Sequence, residues 1–330
     1  MKMNFVSLTQ ALLANTQLTV RVKNTHSASF ETTMGSPQGD SLSPVLFTCY
    51  LEAALREVRS NISWLNPPIS NSRMPLEWEY ADDVDFANEE QPLLTALLPV
   101  IRDTLEEWNL IVNESKTESV HVHLDYPSGQ ESWRKSKSLG SLLCSKAELT
   151  RRCHLGTVAF NSLWAMWMRR PLLTLEKRLL IYHTIIVPIM LYNCDSWAVP
   201  KTSLHQLDKC HRYHLRSILG IRWPNTISNN QLYARCNTQP LSVMVQDRRW
   251  GMLGHVLRMP QDTPAQLALH FAVVGSQIHK SRRGRHQTNL LDTIRTDLKH
   301  HQLALKCADD IETLRALAND KATWRSMGKD

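Results

Sequence analysis

Two adjacent carboxylates, Asp82 and Asp83, stand between aromatic and apolar flanks in Tyr80-Ala81-Asp82-Asp83-Val84. The run from Trp78 to Ala87 fits a strand–turn–strand that presents these acids at its tip. Carboxylate oxygens are hard donors, so the natural guest is Mg²⁺ (or Mn²⁺), and an ion so held would carry a nucleoside triphosphate. An Asp-Asp pair alone is more often a solvated turn, and its neighbours in the chain decide the reading. Upstream lies Gly35-Ser36-Pro37-Gln38-Gly39-Asp40-Ser41-Leu42-Ser43-Pro44. Gly35 and Gly39 allow unusual dihedrals and close backbone approach, Pro37 stiffens the bend, and Gln38 offers an amide donor and acceptor at a loop-to-helix edge. Downstream, Asn113-Glu114-Ser115-Lys116 brings an ammonium that can neutralise triphosphate charge or give up a proton. Asp85 shares a strand face with Asp83 and reads as a strand acid before a third ligand. No Asp precedes Asp40.

The elements that must position these groups are mixed in type. Alternation at Leu18, Val20, Val22, Phe30 and Met34 predicts strands around a turn near Asn24 to Ser27. A helix is expected over Val45 to Val58, with Val45, Leu46, Cys49, Ala53 and Leu55 as its apolar positions. Pro99 to Asn109 predicts an amphipathic helix, and Leu110 to Val112 the opening of a strand that approaches Lys116. Tyr126 to Ser138 turns polar and suggests a boundary, beyond which the chain reads as helical. Leu149, Cys153, Gly156, Phe160, Leu163 and Trp167 make one apolar stripe of a long helix. Leu179 to Tyr192 reads as a core helix broken before Pro188. Ser203 and Gln206 suggest a capping box ahead of a helix closed by Gly220. Further helices are expected over Leu241 to Leu257 and Leu290 to Leu298, followed by a loosely patterned end.

Charge divides the chain. Residues 1–150 carry 12 Lys+Arg against 19 Asp+Glu, and the remainder carries 26 against 12, which sums to the net charge of +7. Such asymmetry points to nucleic acid or another acidic partner for the second part. Seven cysteines without regular spacing form no secretory framework, and Met1 to Thr19 is too polar for a signal peptide. No membrane partner and no secretion are expected, and a nuclear or cytoplasmic location follows. Cys210, His211, His214, Cys236 and His255 lack the paired spacing of a structural zinc site and read as satisfied or exposed side chains.

In this order, the glycine-proline-glutamine-glycine loop, Tyr-Ala-Asp-Asp and the lysine step resemble the reverse transcriptases of non-LTR (LINE-type) retrotransposons over most of the chain. The resemblance implies an α+β fold, a partial right-hand polymerase palm followed by a helical thumb and a basic C-terminal segment. The corresponding divisions are a palm over 1–125, a linker and primer-grip-like hairpin over 126–140, a thumb-like part over 141–225, and a basic helical region over 226–330. The implied activity is RNA-directed DNA polymerisation by two-metal nucleotidyl transfer, with RNA template, DNA primer and deoxynucleoside triphosphates as partners. By resemblance Asp82 is the principal metal ligand and Asp83 its support, Lys116 protonates the departing pyrophosphate, and Gly35, Pro37, Gln38 and Gly39 contact template and nucleotide. Leu139 and Gly140 fall where the family grips the primer end, with Ser138 where relatives have an aromatic. Arg151, Arg152, Arg169 and Arg170 are candidate phosphate contacts, as are Arg282, Arg283 and Arg285; Trp164, Trp167 and Trp197 read as core before stacking platforms. The family's palm has a further Asp-bearing strand upstream of the Gly35 loop, with the fingers. The chain is therefore expected to be an N-terminally truncated form, inactive alone and completed by the missing polymerase part. The alternative is a non-catalytic nucleic-acid-binding remnant.

Overall fold

The computed structural model describes residues 2–14, 17–31, 35, 39–62, 77–87, 91–120, 132–168, 173–278 and 288–328. Pro37, Gln38, Arg169, Arg170, Arg282, Arg283 and Arg285 lie outside these residues. The chain divides into two compact units, one running to Thr117 and one from Glu118 onward.

Unit 1 mixes helices with small antiparallel sheets. Helix α1 (Lys2–Leu13) precedes β1 (Gln17–Leu18), β2 (Arg21–Val22), β3 (Thr25–His26) and β4 (Phe30–Glu31). β2 pairs with β3 and β1 with β4 in nested hairpins. The turn falls at Lys23-Asn24, with Lys23 at φ 55°, one residue before the expected position. The alternation at Leu18, Val20, Val22 and Phe30 is real, yet all four side chains are exposed.

The core of unit 1 is the pair α2 (Ser43–Asn61) and α3 (Gln91–Glu107). Leu51, Ala54, Leu55, Val58 and Ile62 meet Leu97, Ile101 and Leu105. Pro44 sits in the first turn of α2, where its missing N–H costs no hydrogen bond. The apolar positions expected at Val45 and Cys49 are exposed, and the buried stripe begins one to two turns later. α3 starts at Gln91, with Pro99 inside it on the exposed side. It ends where Asn109 takes φ 55° and the Leu110 amide donates to the Leu105 carbonyl, a Schellman closure. That closure turns the chain, so the strand expected at Leu110 to Val112 does not form; Leu110 and Val112 pack on the core instead.

Unit 2 is helical after one short hairpin, β7 (Lys137–Ser138) and β8 (Ser141–Leu142). α4 (Ser145–Ser162) and α5 (Trp164–Met168) carry the expected stripe. They are separated by a turn at Leu163, where the Trp167 indole donates to the Phe160 carbonyl at 2.7 Å. α6 (Leu175–Ile181) runs through a widened π turn at Tyr182–Ile186 into α7 (Val187–Met190). The widening lies just ahead of Pro188, which cannot continue an α ladder. α8 (Lys201–Leu219) begins before the expected capping box, so Ser203 and Gln206 lie inside it; a box forms instead from Ser228 with Gln231 at the start of α9 (Asn229–Arg235). Gly220 closes α8 at φ 69°.

α10 (Leu241–Leu257) serves two cores. Leu241 and Val245 join the first, built on α4 to α9, and Trp250, Leu253 and Leu257 join the second. The second core adds α11 (Pro264–Ile278), α12 (Leu290–His300), α13 (Ala308–Asn319) and α14 (Lys321–Met327). The loosely patterned end is thus helical. No helix among the described residues is long and apolar enough to cross a membrane.

Candidate active site

In unit 1, β5 (Glu77–Tyr80) and β6 (Asp83–Phe86) pair antiparallel, with Tyr80 opposite Asp83 and Trp78 opposite Asp85. The two-residue turn is Ala81-Asp82. Of the two, only Ala81 has positive φ (56°), the pattern of a II′ turn, in which glycine is the favoured residue. An alanine held there is backbone strain at the tip that carries the acids.

Register decides the faces. Val84 and Phe86 pack against the α2–α3 core, so Asp83 and Asp85 point to the other side beside Trp78 and Tyr80. Arg59 of α2 fastens the inner face: it binds Glu77 and Glu79 of β5 and Glu52 of its own helix. Burial raises the Glu79 carboxyl from its ordinary value, and the Arg59 guanidinium offsets this only in part. The outer face is open. Tyr80 is 67% exposed, Asp82 and Asp83 are exposed, and neither acid makes a hydrogen bond or ion pair with another described residue. The hairpin therefore has a tied inner face and a free acidic tip.

Residues 2–148 match the reverse transcriptase (RNA-dependent DNA polymerase) family model. The matched span takes in unit 1 and continues through β7–β8 to Glu148 in the first turn of α4. No curated protein and no solved structure matches the chain.

Within the matched span, Gly35 and Gly39 adopt φ of 82° and 97°, and a Cβ at either would meet no protein atom within 4 Å. Glycine is needed there for its backbone conformation, since no described residue crowds either position. Lys116 is exposed in a turn organised by Asn113, whose carbonyl accepts from the Lys116 and Thr117 amides.

The donors at the hairpin tip have the right chemistry for a hard divalent ion, but their number is short. Among the described residues, no group of three His, Cys, Asp or Glu could hold a metal, so Asp82 and Asp83 lack a third partner there.

The hairpin expected at Leu139-Gly140 forms in unit 2, and its turn residues both have positive φ (48° and 73°), the I′ pattern. Its carbonyls are taken. The Leu139 carbonyl accepts from the Tyr192 hydroxyl at 2.8 Å, and the Gly140 carbonyl from Arg152 at 2.7 Å and Arg151 at 3.2 Å. Arg152, a candidate phosphate contact by sequence, is held by partners inside the unit. Only 7% exposed, it binds Glu148 and lies 4.3 Å from the centre of the Tyr192 ring. Arg151 also binds Glu148 but stays partly exposed. Burial works against charge on Glu148, yet the Leu142 amide and the two guanidiniums outweigh it and hold the carboxyl below its usual range. The Glu148, Arg151, Arg152 spacing is an i, i+3, i+4 pattern that the sequence displays. The contribution of Tyr192, 53 residues from Leu139, carries no such signal. Trp167 and Trp197 are buried, and Trp164 is exposed.

Cys210, His211 and His214 belong to a buried cluster in the first core of unit 2. The Tyr182 hydroxyl is 2.8 Å from His211 Nδ1 and 3.3 Å from His214 Nδ1, and Thr157 lies 3.2 Å from His214 Nε2. Burial, with His183 and His214 nearby, pushes the His211 imidazole down to about 3.

Proposed function

We propose that the matched span is the palm of a non-LTR retrotransposon reverse transcriptase, with Asp82 and Asp83 as part of its nucleotidyl-transfer site. One observation carries the reading: within the matched span, an Asp-Asp pair stands free at a strained two-residue hairpin tip whose opposite face is locked to the core. A divalent ion, when bound, supplies charge neutralisation for the triphosphate in this chemistry. Asp82 would be its principal donor and Asp83 its second. The open backbone at Gly35 and Gly39 would lie against the template base pair, and Lys116 would donate a proton to pyrophosphate. Leu139 and Gly140 would shape the primer end, with Arg152, Arg151 and Tyr192 holding that turn in place.

Among the described residues these two carboxylates make an incomplete ligand set, which supports a polymerase activity completed by another segment that adds at least one oxygen donor. Joining the palm-and-fingers segment of an active reverse transcriptase ahead of residue 1 tests this. The fusion should extend a DNA primer on an RNA template with Mg²⁺ and lose that activity on Asp82→Ala. A folded, monodisperse fusion that binds template–primer without extending it would defeat the reading.

A further inference from the structure

We propose that α8 and the chain that folds back over its end form a binding surface for single-stranded nucleic acid, built from Lys209, Arg212, Arg216 and Arg222 with Tyr213 and Trp223. Lys209, Arg212 and Arg216 fall at i, i+3 and i+7 on one face of α8, a stripe about 10 Å long. After Gly220, the Ile221 amide donates to the Arg216 carbonyl at 2.9 Å, which turns the chain back. Lys209, Arg212, Tyr213, Arg216, Ser217, Ile221 and Arg222 together line a depression of about 450 Å³.

The charge in this depression is not neutralised. None of the four cations pairs with a carboxylate among the described residues, and no acid lines the depression. The contrast lies in the same unit, where Arg151 and Arg152 are bound to Glu148 and Arg249 to Asp297. Arg212 and Arg216 are instead steadied by neutral groups, the Tyr233 hydroxyl at 3.4 Å and the Asn229 amide oxygen at 2.9 Å, which orient a guanidinium and leave its charge intact. Four like charges around one concavity repel each other, and a polyanion relieves that repulsion.

Two aromatics choose among polyanions. Tyr213 is 57% exposed and Trp223 is 89% exposed. Neither adds anything to the binding of a lone phosphate. Both offer faces to unstacked bases, which single strands have and duplexes keep covered. The surface shares with the proposed function only its class of partner, since no step of polymerisation enters it.

The test is anisotropy of a fluorescein-labelled single-stranded oligonucleotide with the full chain, titrated with KCl in the absence of Mg²⁺ and nucleotides. Under these conditions the proposed polymerase reading can fail while this surface survives. Lys209→Gln with Arg222→Gln should weaken binding at least tenfold and reduce the salt slope by about 1.4, at roughly 0.7 per phosphate contact. Tyr213→Ala with Trp223→Ala should weaken binding about tenfold and leave the slope unchanged. Lys321→Gln with Arg325→Gln, the same charge change at exposed positions of α14, should leave binding intact. All four α8-surface substitutions replace exposed side chains, and circular dichroism checks each fold; Lys209→Glu alone serves if a double variant unfolds. The proposal falls if either α8 pair leaves affinity within twofold, if the α14 pair weakens it equally, if duplex binds as tightly as single strand, or if vesicles of anionic phospholipid displace the oligonucleotide.

Discussion

The β5–β6 hairpin of unit 1 and the α10–α14 core of unit 2 show two opposite uses of aromatic and charged side chains. In the second, Trp250 and Trp324 stack at 4.4 Å, and each indole donates to the other's carbonyl, at 2.7 Å and 3.1 Å. Gly254 and Gly328 let them in, because a Cβ at the first would collide with the Trp324 indole and a Cβ at the second with the Trp250 indole. Arg249 is spent on Asp297 at 2.6 Å. In the hairpin, Trp78 and Tyr80 are exposed beside two acids without partners among the described residues, while Leu18, Val20, Val22 and Phe30 leave the neighbouring strands open. Closed side chains hold a unit together, and open ones at a strained turn are available to something else.

The comparison breaks most easily at the closed end. Trp324→Ala should destabilise unit 2 by about 3–5 kcal/mol, measured as a shift of its denaturant midpoint; a loss under about 1 kcal/mol would mean that the tryptophan pair is not a keystone. Glu148→Ala should cost about 3 kcal/mol, because it strands Arg151 and Arg152 beside the Gly140 turn. Double replacement of Glu148 with Arg152→Met should recover part of that loss, and no recovery would count against the buried-pair account.

A pH effect comes next. His211 is held neutral in the fold by burial, so the unfolded chain binds its proton first as pH falls through 6.5. Stability should decline from there toward pH 3, by about 2 kcal/mol at pH 5 from this group. Thermal midpoints of the wild type and His211→Gln should converge in their pH dependence if another group is responsible. The smallest effect is expected at the hairpin tip, where Tyr80→Ala and Asp82→Asn should change stability by no more than about 0.5 kcal/mol. A larger loss would make these residues part of the frame.

Much of this was legible in the sequence, for reasons that can be named. The hairpin around Asp82, the helix over Leu241 to Leu257 and the αL stop at Gly220 depend on neighbours in the chain, and local chemistry marks them. What failed depended on distant partners. Val45 and Cys49 look like core on periodicity, but the face of α2 that is buried is chosen by α3. Arg152 reads as a basic end of its helix, and its contact with the Tyr192 ring has no local mark in the chain. Nothing local marks Lys209, Arg212 and Arg216 of α8 as a site, because i, i+3, i+7 basic positions usually mark a solvated face, and only the chain folding back after Gly220 gathers Arg222 to them.

We propose that Asp82 and Asp83 are one part of a polymerase site whose third oxygen donor comes from outside this chain, since none stands beside them among the described residues. Mg²⁺-dependent extension of a DNA primer on an RNA template by the purified chain, beside Asp82→Ala with Asp83→Ala, tests it most directly. Folded, monodisperse protein should give no extension. Extension that disappears in the double variant would contradict the claim, because a third ligand would then lie within the chain itself.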